Sequence, residues 1–298
     1  MAAVKEPLLT GSNAEREVVY AEGYWRRTWR KFSRNKLAVV GAVFVTLLIL
    51  AAVFAPWIAP YAYDKVDYTA TYQGPSASHI FGTDELGRDL LSRQLYSLRV
   101  ALLVALGAES ITLAVGSVVG AIAGYKGGLA DNILMRITDI MFAFPSFLFN
   151  VVLVAVMGRG MITIFIAIGV TSWTGLARLV RAQVLALKSR EYVEAGRAMG
   201  ASTSDIILRY IMPQTLGPII VTLAFGVPAA MMVESALSLI GMGVTPPMPS
   251  FGTLIASGQR YILSFPHLLI WPAASFAAIL LSFTWLGDGL RDAFDPRD

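Results

Sequence analysis

The sequence predicts an all-α polytopic membrane protein with six transmembrane helices. Three observations carry that expectation: six long apolar runs, a scarcity of charge, and basic residues gathered on one set of loops. Of 298 residues, 56% are hydrophobic and 15% charged, where an average soluble domain carries about 25% charged residues. The charges are missing from whole stretches, so lipid is the expected solvent for those stretches. The net charge of +4 sits beside apolar runs, which fits membrane topology and not a nucleic-acid face. The absence of cysteine excludes disulfides and thiolate chemistry.

A spanning helix needs about 20 apolar residues, because the bilayer core is ~30 Å thick and a helix rises ~1.5 Å per residue. The first run, residues 37–59, is uncharged and ends near Pro56, Trp57, Pro60 and Tyr61. Aromatic residues at that point suit a membrane boundary. The second, about 100–125, holds one acid, Glu109, and the third, about 133–157, is bracketed by Gly128 and Gly158. The remaining spans fall at about 161–180, 216–240 and 268–286. Pro145, Pro228 and Pro272 lie inside these runs. They are tolerated there because neighbouring helices can satisfy the freed backbone groups. The chain thus divides into a tail (1–36), a first span (37–59), an outer loop (60–97) and a five-span core (98–298).

Orientation follows from the Lys and Arg residues. With the N-terminus in the cytoplasm, 18 of the 24 fall inside and 6 outside, as the positive-inside rule requires. Six spans then place both termini in the cytoplasm. The segment from Tyr24 to Phe32 interleaves aromatics with bases and reads as an amphipathic helix on the inner leaflet. The first apolar run starts too late and runs too long for a cleaved signal peptide.

The loop between the fourth and fifth spans is a charged, helix-forming insert, about 189–212. Tyr192, Ala195 and Met199 share one helical face. Gly200 is a helix stop, and Ser202 to Asp205 is a helix start related to the capping box. Pro213 marks entry to the fifth span. A helix, glycine turn and helix on the cytoplasmic side form a shape that docks into a groove of a soluble partner.

Glu194-Ala195-Gly196, three residues, Gly200, nine residues and Tyr210-Ile211-Met212-Pro213 resemble the E-A-A…G…I-x-L-P motif of ABC-importer permeases. The spacing holds, while Gly196, Tyr210 and Met212 replace Ala, Ile and Leu. Further segments resemble the C-type subunit of the oligopeptide and dipeptide branch. These are Phe81–Arg93, Gly124–Gly128 with Met135–Asp139, and Gly287–Arg297. Trp173–Arg181 and Glu234–Gly243 resemble oligopeptide carriers more than nickel carriers. Together the resemblance covers about residues 25–298.

The resemblance implies the type I ABC-importer permease architecture, located in the plasma (inner) membrane. Glu194, Ala195, Gly196, Gly200 and Pro213 would then belong to a coupling helix seated in an ATPase subunit. The implied partners are a second, B-type permease, two ATP-binding subunits, and an extracellular or periplasmic solute-binding protein. The implied cargo is an oligopeptide or dipeptide, with glutathione, opines and nickel as alternatives within the family. ATP and Mg would be bound by the partner ATPases, since the chain has no G-x-x-x-x-G-K-[ST] loop to cradle phosphates. The permease itself is then not an enzyme and has no cofactor.

Ionisable groups inside spans are costly and face protein or water. Glu109 and Glu234 are therefore candidates for the translocation path or a gate, with hydrogen bonding between helices as the alternative. Arg136 and Asp139, three residues apart, are expected to form a structural pair. His79 and His267 lie on separate outer segments and do not form a metal-ligand set. Asp84, Glu85, Arg88 and Asp89 are expected to be a salt-bridged structural or docking element. An ion-coupled secondary transporter is a rival class, but it leaves the insert unexplained.

Overall fold

The computed structural model describes residues 24–295. In chain order the helices are α1 (Tyr24–Arg34), α2 (Lys36–Val53), the single turn α3 (Ala55–Ile58), α4 (Leu90–Lys126), α5 (Gly128–Ala143) and α6 (Ser146–Met157). They continue as α7 (Met161–Leu187), α8 (Glu191–Ala198), α9 (Thr203–Asp205), α10 (Met212–Leu239), α11 (Phe251–Arg260) and α12 (His267–Phe294). A π-helical stretch, Ile206–Ile211, joins α9 to α10. Among the described residues, five helical stretches are long and apolar enough to cross a bilayer, and the bent pair α5 and α6 makes a sixth if it counts as one span.

The break replaces the straight third span expected from sequence. The two helices meet at 86° across Phe144, in extended backbone, and Pro145, in non-helical backbone. Proline disfavours helical backbone at the residue before it and has no N–H to continue the ladder. Both ends of the pair begin or stop at glycines with positive φ, Gly128 and Gly158.

The second span also starts earlier than expected, at Leu90 instead of about Val100. Asp89 sets that start by accepting from the Ser92 N–H at 2.8 Å, the usual N-cap arrangement. Arg93 and Arg99 are consequently helical.

Helices α4 and α7 pack along most of their length. Gly116, Gly120 and Gly124 recur every four residues and lie on one face. A Cβ at Gly120 would sit 2.5 Å from the Ala177 carbonyl oxygen, and one at Gly124 2.8 Å from that of Arg181. Small residues at such a seam let two backbones approach in a bilayer, where dispersion and not water exclusion drives packing. The core they build contains Val104, Ala105, Ala108, Ile164, Ala167 and Ile168.

Helix α2 lies at the edge, against α12. Asn35 caps it, its Oδ1 accepting from the Ala38 N–H at 3.2 Å. Gly41 lets it meet α12 closely. The segment Tyr24–Arg34 is helical, as α1. Its Phe32 is buried with Ala38 and Ala293, and Trp29 on the same apolar side is exposed.

The segment 60–89 packs against the starts of α4 and α12 and against α11. Asp84 is nearly buried and accepts from the Leu86 and Arg88 N–H groups and from Arg88 Nε at 2.7 Å. Arg93 Nε lies 3.3 Å from the same carboxylate. His79 Nδ1 lies 2.9 Å from Asp89, and its ring stacks on Tyr61. The expected charged cluster is thus a structural element. Hydrogen bonds from the hydroxyl and N–H of Thr69 hold Asp67 below the usual carboxylate range.

Candidate functional site

Two features carry chemistry: the hairpin after α7 and a cleft between α4, α7 and α10. The hairpin begins with α8, whose capping residue Arg190 adopts extended backbone. Val193 and Gly196 form its buried face, while Tyr192, Glu194, Ala195 and Met199 are exposed. The face that Tyr192, Ala195 and Met199 share is therefore outward, with Met199 75% exposed. Gly200 has φ +84°, a left-handed conformation that glycine adopts without a Cβ clash. Ser202 Oγ then accepts from the Asp205 N–H at 3.2 Å and opens the next helix.

The hairpin is tied to the spans by its other face. Val193, Ile206 and Ile211 are fully buried with Val180 and Val184 of α7. The Arg197 guanidinium lies over the Tyr125 ring at 5.3 Å, and Lys188 Nζ donates to the Gly124 carbonyl at 3.0 Å. The π-helical stretch ends at the start of α10, where Pro213 has no N–H to give to the preceding turn.

Two of the departures from the motif are complementary. A Cβ at position 196 would lie 3.0 Å from Cε1 of Tyr210. The larger ring at 210 occupies the space that an alanine methyl at 196 would need.

The cleft has a volume of about 600 Å³, within the range of small-molecule sites. Glu109 and Thr112 of α4 line it, with Thr171 and Thr174 of α7 and Thr222 of α10. Phe142, Phe144 and Pro145 close one side, so the broken third segment forms a wall. The Glu109 carboxylate packs against bare backbone at Gly226, where a Cβ would sit 2.5 Å from it. Glu109 is 8% exposed. A carboxylate among hydroxyls and aromatic rings can take a cation or an N–H donor.

Glu234 lies elsewhere. It is fully buried and accepts from Ser238 Oγ at 2.7 Å and Ser235 Oγ at 3.3 Å. It does not line the cleft, so its setting is that of an internal hydrogen-bond anchor.

The expected pairing of Arg136 with Asp139 gives way to a different one. Asp139 bonds Arg178 at 2.9 Å, and the Arg178 guanidinium covers the Phe142 ring at 4.2 Å. Position i+3 on α5 was geometrically open to Asp139, but α7 brings a closer guanidinium. One turn further along α7, Arg181 forks onto Asp131 at 2.5 and 2.7 Å. These two pairs fasten α5 to α7 beside the cleft. Sequence spacing could not reveal them, because their members are 39 and 50 residues apart.

Helices that cross a bilayer around a polar-lined cleft, with one helical hairpin beyond the spans, define a transport protein of the type I importer-permease fold. The methionine transporter MetNI in its inward-facing conformations has the same fold. The match has a TM-score of 0.56 at 15% identity and covers 69% of this chain and 98% of that one. The family model "Binding-protein-dependent transport system inner membrane component" matches residues 116–297. A second, "N-terminal TM domain of oligopeptide transport permease C", matches residues 23–75.

The chain belongs to the family of binding-protein-dependent transport system inner membrane components. It is similar to the oligopeptide transport system permease protein OppC of Bacillus subtilis, 40% identical over 92% of this chain and 90% of that protein. The dipeptide permease DppC of the same organism is 41% identical over 92% and 86%. The glutathione permease GsiD of Pectobacterium atrosepticum is 39% identical over 92% and 91%. The chain is thus a multi-pass membrane permease of an ABC importer and not itself an enzyme.

Proposed function

We propose that this permease passes oligopeptides or dipeptides from an external binding protein into the cytoplasm, driven by two partner ATPases that bind ATP and Mg. A second, B-type permease completes the pore, and both termini lie in the cytoplasm. Relatives named for oligopeptides, dipeptides and glutathione support a peptide cargo. The basic residues support the orientation.

The single observation that carries the coupling role is the two-faced α8. Its outward face, Tyr192, Ala195 and Met199, is free to enter a partner's groove, while Val193 and Gly196 fix the other face to α7 and α10. Glu194 stands on the exposed side, Gly200 sets the turn, and Pro213 begins the span that receives the motion. ATP binding can shift the spans only through its different affinity for the two states. In the cleft, Glu109 receives the cationic or N–H-bearing end of the cargo, and Glu234 holds α10 in shape.

The chain lacks cysteine, so Met199→Cys creates a single thiol. In the assembled complex it should cross-link to an ATPase subunit carrying one cysteine in its groove, and the yield should change with ATP. Failure to cross-link at Met199 and also at Ala195→Cys would overturn the docking role.

A further inference from the structure

A second groove, of about 250 Å³, lies between α2, α4 and α12 and shares no residue with the cleft. Its walls are apolar, including Phe44, Leu48, Leu98, Phe251 and Ile279. Ser275 and Ser282 also line it, but the lining amide is out of keeping. Gln94 is 4% exposed, and neither its Nε2 nor its Oε1 has a hydrogen-bond partner among the described residues. A buried amide with donor and acceptor both unmet costs stability unless something completes it.

Three observations say what completes it. First, the groove opens along α2, whose Phe44 is 51% exposed and whose Val43 and Leu47 are exposed beside it. Its mouth is therefore bounded by bilayer-facing side chains. Second, Gln94 lies in the second turn of α4, about 7 Å inside the Asp89 cap at a helical rise of ~1.5 Å per residue. Aromatic rings gather beside it: Phe81, which lines the groove, stacks on Trp271, and Tyr96, two residues on, packs against Tyr63. Such rings mark the membrane–water boundary, and just inside it glycerophospholipids carry their ester carbonyls. Third, one water would not fill the groove, whose walls are mostly apolar and whose volume of about 250 Å³ is several times the ~30 Å³ share of a water molecule.

We propose that this groove is a phospholipid site. One acyl chain of an outer-leaflet glycerophospholipid lies along the apolar walls. Its ester carbonyl accepts from Gln94 Nε2, and a headgroup hydroxyl or ammonium donates to Oε1. The lipid then pins the edge helix α2 to α4 and α12. The choice of leaflet rests on the proposed orientation, and the site is otherwise independent of the cargo reading.

The test uses the whole complex, purified in mild detergent and supplied with phosphatidylglycerol and phosphatidylethanolamine. Native mass spectrometry counts the lipids retained by the unaltered chain, by Gln94→Leu and by Ala278→Phe, which fills the groove and keeps the amide. Both variants should lose one tightly held phospholipid and the rise in melting temperature that added phospholipid gives the unaltered complex. A photoreactive phospholipid, applied to the unaltered chain, should label peptides of α2 and α4 that line the groove. Equal retention in all three proteins, or labelling that avoids the groove, would overturn the proposal. So would a cross-link from Gln94→Cys to the second permease, which would show that a subunit and not a lipid covers it.

Discussion

Restoring alanine at position 196 should damage the coupling hairpin unless position 210 is restored with it. In Gly196→Ala the new Cβ would lie 3.0 and 3.1 Å from two ring carbons of Tyr210 and 3.1 Å from Cδ1 of Ile206. Relaxed carbon contacts are ~3.5–4.0 Å, so the neighbours must move by about 0.5 Å. Ile206 is fully buried and cannot swing into space. Overpacking of this kind costs about 1–3 kcal/mol, and the helix preference of alanine over glycine returns about 1 kcal/mol. The expected net loss is about 1 kcal/mol. Tyr210→Ile alone removes the ring that fills the gap and should lose about 1–2 kcal/mol. Together the two changes should cost about 1–2 kcal/mol less than the sum of the two single variants. Detergent-solubilised complexes titrated with sodium dodecyl sulfate give the stabilities, and peptide imported per ATP hydrolysed gives the coupling. Additivity within ~0.5 kcal/mol would refute the idea that the two positions compensate.

Other residues make separable predictions. Gly200→Ala forces a Cβ into the left-handed conformation, with a cost of about 1–2 kcal/mol; uptake should fall while the ATPase rate persists. Arg181→Ala and Asp131→Asn each remove the fork between α5 and α7, so hydrogen exchange in α5 should rise in both, and the double variant should exchange no faster than either. Glu109→Gln should raise the half-saturating peptide concentration about tenfold, the scale of one hydrogen bond to a charged group. Glu234→Gln, in which Ser238 can still donate to the amide oxygen, should leave that concentration unchanged.

The sequence made the spans legible because lipid demands length and low charge, signals that a composition window reads directly. It also exposed the hairpin: Gly200, Ser202 and Pro213 have local backbone consequences, and all three act where they stand. The broken third segment was less visible, because Pro145 alone cannot distinguish a tolerated kink from an 86° turn. Pairing failed for a similar reason. Arg136 and Asp139 were neighbours by helical spacing, yet Asp139 chose Arg178 once tertiary packing brought α7 alongside. Glu109 and Glu234 look equivalent in sequence, each a lone acid in an apolar run. Only the fold shows that one lines a cleft and the other is enclosed by Ser235 and Ser238. The compensation between Gly196 and Tyr210 could have been suspected from the two departures together, since one loses volume where the other gains it.

The most direct test of the account is ATP hydrolysis and uptake by the reconstituted assembly. This chain, coexpressed with a second permease, two ATPase chains and a binding protein, is placed in liposomes with ATP and labelled peptide. The account predicts that peptide-loaded binding protein stimulates hydrolysis and that peptide accumulates only while ATP is present. Uptake by this chain alone, driven by an ion gradient and indifferent to ATP, would contradict it.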